Sequence, residues 1–82
     1  MKITLQDGVY AAAYSDDNGI CVRLFKTEEG ALKWKQELAL QYWDCHFTEP
    51  MPVNKTHREI ADHYFEWATE YFSIDLIKEI NP

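Results

Sequence analysis

Asp7-Gly8 and Asn18-Gly19 divide the first 26 residues into three short runs, residues 2–5, 9–14 and 20–25. Both dipeptides tolerate the positive φ that a tight hairpin turn demands at its centre. Strand-length runs punctuated in this way predict a three-stranded antiparallel meander. Alternation separates Val9, Ala11 and Ala13 from Tyr10, Ala12 and Tyr14, and it separates Ile20, Val22 and Leu24 from Cys21, Arg23 and Phe25. If Asn18-Gly19 forms the turn, Tyr14 lies opposite Arg23 and Ala13 opposite Leu24. Ala11 and Ala13 are small enough to admit a helix, so the Val9, Ala11, Val22 and Leu24 face is expected to carry the helices.

Thr27 then offers a helix N-cap, with Glu28 and Glu29 in the first turn, where acids suit the dipole. The helix is predicted to run to about residue 44. At about 100° per residue, Ala31, Leu32, Trp34, Leu38, Ala39, Tyr42, Trp43 and Cys45 fall on one half of the cylinder. Pro50 and Pro52 make residues 45–54 a linker, since neither a helix interior nor a central strand accepts them. Thr56-x-x-Glu59 reads as a capping box, in which each residue's side chain satisfies the other's backbone N–H. The helix it opens is expected to bury Ile60, Ala61, Tyr64, Phe65, Trp67, Ala68, Tyr71 and Phe72. Ser73 then caps a short last helix over 74–80, although residues 72–76 also alternate as a strand would. The fold class is therefore α+β, one domain over residues 1–82: a three-stranded meander, two longer helices and a short C-terminal helix.

At 82 residues a chain buries only about 60–65% of the surface its unfolded form exposes, so its stability rests on large side chains. Three Trp, five Tyr and four Phe supply them, which excludes a disordered acidic tail. Eight Lys or Arg against fourteen Asp or Glu give a net charge of -6, which argues against direct binding to nucleic acid or to an anionic membrane. The N-terminus shows no signal-peptide pattern and no run long enough to span a bilayer, so a cytoplasmic protein is expected. Cys21 and Cys45 are expected to be free thiols in the core.

No assembled catalytic set is present. His46, His57 and His63 lack the i, i+4 spacing that places two imidazoles on one metal, and Gly8, Gly19 and Gly30 are too scattered for a phosphate loop. Cys45 and His46 are neighbours whose side chains diverge on most backbones. The expectation is a non-enzyme with no catalytic residue, no metal and no cofactor.

Charge placement is more informative. Residues 1–41 hold five bases and six acids, whereas residues 42–82 hold three and eight. On the capped helix Glu59, Asp62, Glu66 and Glu70 share one stripe at i, i+4 and i, i+7 spacing. Like charges so placed each cost a few tenths of a kcal/mol, and Arg58 is the only base nearby. This row is the first candidate for partner binding. The second is the other sheet face, with Tyr10, Tyr14, Arg23 and Phe25, an interface-like composition if nothing covers it.

In size, charge and element order the chain resembles the small acidic inhibitors that bacteriophages encode, the anti-CRISPR proteins and DNA-mimicking antirestriction proteins. That resemblance implies a stoichiometric inhibitor in a bacterial host cell. Its carboxylates would occupy a basic groove on a nucleic-acid-processing complex of the CRISPR or restriction type. The alternative is an immunity-type interaction module or a homodimer that uses the aromatic sheet face. The two differ in salt dependence, because only the first relies on exposed charge.

Overall fold

The computed structural model describes residues 2–81 as β1 (Ile3–Asp16), β2 (Gly19–Phe25), α1 (Glu28–His46), α2 (His57–Trp67) and β3 (Tyr71–Ile80). The class is α+β, with one antiparallel sheet in the order β2-β1-β3 and both helices over one of its faces. The Cα extents of 51 × 27 × 16 Å are those of a thin, two-layered slab.

The local signals formed as read. Thr27 Oγ1 accepts the Gly30 N–H at 3.1 Å to open α1, and Ala31, Trp34, Leu38, Ala39 and Trp43 are its buried residues. At α2 both halves of the capping box are present: Glu59 N–H donates to Thr56 Oγ1, and Thr56 N–H donates to Glu59 Oε1, each at 3.2 Å. In the linker, Trp43 stacks on Phe47 at 4.3 Å and donates its indole N–H to the Glu49 carbonyl at 2.9 Å. That pair fastens the chain where the prolines deny it secondary structure. No helix among the described residues is long and apolar enough to cross a membrane.

The meander is corrected. Asp7-Gly8 does not turn the chain back; it forms a bulge inside one 14-residue strand, β1. Between the pairs Thr4–Glu79 and Val9–Ile77, β1 has four residues where β3 has only Lys78. Gly8 sits at φ +74°, and a Cβ there would lie 2.9 Å from Leu76 Cδ1 and 3.1 Å from the Ile77 carbonyl oxygen. A glycine is therefore required both by conformation and by space. Gly8→Ala is expected to cost about 2 kcal/mol, read as a lower urea midpoint at unchanged slope.

The third strand comes from the C-terminus. The segment predicted as a short helix, with strand as the alternative, is β3, which pairs antiparallel with β1 from Ser15–Tyr71 to Ile3–Ile80. β1 is thus the central strand. The hairpin turn is Asp17-Asn18, with Asp16 paired to Gly19 and the Asn18 N–H bonded to Asp16 Oδ1 at 2.8 Å. Tyr14 consequently faces Cys21, not Arg23, a slip of two residues that leaves each residue on its expected face.

Which face is covered is the larger correction. The helices pack on Tyr14 and Ala12, together with Phe25, Phe72 and Ile74, and not on the Ala11 and Leu24 side. Tyr14 packs edge-on to Trp34 and to Phe65, and Trp34 to Phe72 at 5.4 Å. The apolar area decides it: β3 adds Phe72 and Ile74 directly opposite Tyr14 and Ala12, so the aromatic side of the sheet has more to bury. Ala12, fully buried, supplies the close approach expected of Ala11 and Ala13.

Candidate functional site

Glu70 follows α2 and leads into β3, and it is the one buried charged residue among those described, 7% exposed. Tyr14 from β1 donates its hydroxyl to Glu70 Oε1 at 2.7 Å, and Tyr64 from the last turn of α2 donates to the same oxygen at 2.5 Å. The other oxygen, Oε2, lies 2.9 Å from Nε2 of His46, the last residue of α1. A buried carboxylate is tolerable only when its lone pairs are filled in this way. Burial first, and then the hydrogen bond to Glu70 and its charge, pushes both phenols well above their ordinary range. They remain donors wherever the protein is folded. One carboxylate therefore ties four elements together.

This knot takes apart the predicted acidic row. α2 stops at Trp67, with Ala68 extended as its C-cap, so Glu70 lies off the helix and faces inward. Glu59 turns its carboxylate back onto Thr56. Asp62 receives Lys35 from α1 at 3.1 Å. Glu66 is the one member that stays exposed with neither a side-chain hydrogen bond nor an ion pair among the described residues. Trp67, the last residue of α2, and Tyr71, the first of β3, both expected in the core, are exposed.

The aromatic sheet face is likewise turned inward. Tyr14 is buried, Tyr10 and Phe25 are half-buried, and Arg23 lies at the rim with its guanidinium 4.7 Å above the Trp34 ring. Cys21 and Cys45 are free as expected, but exposed and not in the core. Three described recesses are lined by residues other than His46, His57 and His63. Among the described residues no three His, Cys, Asp or Glu side chains converge as a metal site requires.

What the fold leaves bare is the opposite sheet face. Ile20, Val22 and Leu24 of β2 are 73%, 58% and 66% exposed, and Tyr71 of β3 is 76% exposed. The register sets them around a row of small residues: Ser15 lies between Ile20 and Tyr71, Ala13 between Val22 and Ser73, and Ala11 between Leu24 and Asp75. The result is an aliphatic ridge along β2 beside a shallow furrow along β1. The alternation of Ile20, Val22 and Leu24 carried this signal in the sequence, assigned to the wrong side of the sheet. Asp75 is the only charged residue in those three rows.

No protein-family model matches the sequence, and no curated protein or solved structure shows significant similarity to it.

Proposed function

We propose that this chain is a non-enzymatic interaction module that pairs with a second copy of itself, bare sheet face against bare sheet face. The observation that carries the reading is the ridge of Ile20, Val22 and Leu24, more than half exposed, beside a furrow of Ala11, Ala13 and Ser15. A two-fold axis seats each ridge in the other copy's furrow, the self-complementary contact of an isologous dimer. Ile20, Val22, Leu24 and Tyr71 together expose on the order of 500 Å², at the upper end of patches on monomers and more than half of the roughly 800 Å² each partner gives a standard interface. The small flanking residues supply the rest.

An inhibitor acting on a basic groove through Glu59, Asp62, Glu66 and Glu70 would draw on carboxylates that the fold engages internally, Glu66 apart. The sheet face has no such competing use. Salt separates the two readings. Two copies of charge -6 repel, so screening leaves the apolar dimer as strong or stronger, whereas carboxylate docking weakens.

Analytical ultracentrifugation at 5–200 µM protein in low and high salt tests the proposal. The expected result is a dimer with a Kd of about 10 µM or below, undiminished by salt. Val22→Lys combined with Leu24→Lys, both at exposed positions, should give a monomer with an unaltered melt. A wild-type chain that sediments as a monomer throughout overturns the proposal.

A further inference from the structure

The helix side of β2 presents a different opportunity, independent of the dimer. β2 is an edge strand, so alternate residues over seven positions direct N–H and C=O groups away from β1 without a strand to receive them. α1 meets β2 where Trp34 packs against Phe25, but it leaves the strand uncovered toward Cys21. A recess of about 500 Å³ lies between, floored by Trp34 and Leu38, with Cys21 and Arg23 on the strand side and Glu37 and Gln41 on the helix side. That volume is in the range of ligand sites.

Arg23 distinguishes this recess from a gap in packing. Its guanidinium carbon lies 4.7 Å from the centroid of the Trp34 ring, a cation–π contact that holds the charge over the recess floor. It makes no hydrogen bond or ion pair with another described residue, even though Glu37 lines the same recess beyond ion-pair distance. A cation held over an aromatic ring with its donors unfilled, on a strand with an unfilled edge, is complementary to a carboxylate carried on another strand.

We infer that the groove between β2 and α1 is a strand-addition site for an extended segment of a partner protein, with one acidic side chain of that segment seated on Arg23. Main-chain bonds to β2 hold the segment, and its alternate side chains enter the recess. Arg23 is the fifth of the seven residues of β2, so strand continues on both sides of it and the carboxylate belongs to an internal side chain, not a chain terminus. Glu37 on the opposite wall repels a second acid, which favours a single acidic residue flanked by neutral ones. The groove and the bare face lie on opposite sides of the sheet. A face-to-face dimer therefore leaves both grooves open and presents two such sites.

The probe is a seven-residue peptide, acetylated and amidated, that alternates Thr and Val around a central Glu. Its controls are a twin with Gln at the centre and a Glu peptide N-methylated at alternate backbone nitrogens. Backbone amide shifts should move over residues 19–25 and 34–42, with the Gln twin bound at least about tenfold more weakly and the N-methylated peptide not bound. Arg23→Gln should bring the Glu peptide to the affinity of its Gln twin. Equal affinity of wild type for the Glu and Gln peptides overturns the inference, as do shifts that map elsewhere or no saturation by about 2 mM peptide. That comparison needs no variant to fold, and it can succeed or fail whatever the oligomeric state.

Discussion

Replacing Glu70 with Ala is expected to cost about 3 kcal/mol or more and to lower the melting temperature by about 15 °C. The deletion strands two phenolic hydroxyls, those of Tyr14 and Tyr64, in the interior of the slab, and it releases His46 at the end of α1. Each buried donor left without an acceptor costs about 1–3 kcal/mol. A domain of this size has roughly 4–12 kcal/mol in total, so the variant sits close to unfolding at ambient temperature. Glu70→Gln keeps one acceptor oxygen for the phenols but turns an amide N–H₂ toward His46, and it should fall between the two. The diagnostic variant is triple: Glu70→Leu with Tyr14→Phe and Tyr64→Phe removes donors and acceptor together. It should recover most of the loss, because a polar group whose partner has also gone no longer needs one. Urea titrations of the four proteins check this. If Glu70→Ala melts within about 3 °C of wild type, the knot does not hold the fold together.

The elements that could be read from the sequence were those whose cause is local. Thr27, Thr56 and Glu59 act within four residues of themselves, and the caps they form are the ones found. The apolar stripe of α1 likewise needs only its own periodicity, and its five buried residues all lie on the predicted half. Residues 71–80 could not be settled in that way. Ile74, Ile77 and Ile80 satisfy a helical spacing while Phe72, Ile74 and Leu76 satisfy a strand spacing, and pairing with residues some 60 positions away decides between them. Once β3 lies beside β1, its Phe72 and Ile74 determine which sheet face draws the helices, and that choice exposes Ile20, Val22 and Leu24. The bare face is thus a consequence of long-range pairing, although its residues alternate visibly. Glu70 has the same lesson at the scale of one side chain. Spacing from Glu66 places it on an acidic stripe only if the helix continues, and the helix stops three residues earlier.

As pH rises past 10 the stability of the fold is expected to fall with a slope that approaches about 2.7 kcal/mol per pH unit, twice that of a single group. The ordinary value for a tyrosine phenol is 10.0, and folding raises both Tyr14 and Tyr64 above it through burial and through the Glu70 carboxylate each one bonds to. A proton held more tightly in the folded state makes a contribution that is complete below the unfolded value and is lost as pH rises past it. Beyond pH 10 the unfolded chain therefore releases two protons that the folded chain keeps, and each unit of pH draws the equilibrium toward unfolding. Urea titrations at intervals between pH 9 and pH 11.5 measure the slope directly. Tyr64→Phe should cut it by about half, although its stability at neutral pH is lower because Glu70 loses one donor. A flat profile to pH 11, or a slope unchanged by that substitution, would contradict the assignment. Phenolate absorbance supplies an independent view of the same two groups. Of the five tyrosines, Tyr14 and Tyr64 should ionise only in step with loss of the far-ultraviolet circular dichroism, since a phenolate at either position would face the Glu70 carboxylate at hydrogen-bond distance with no proton between them.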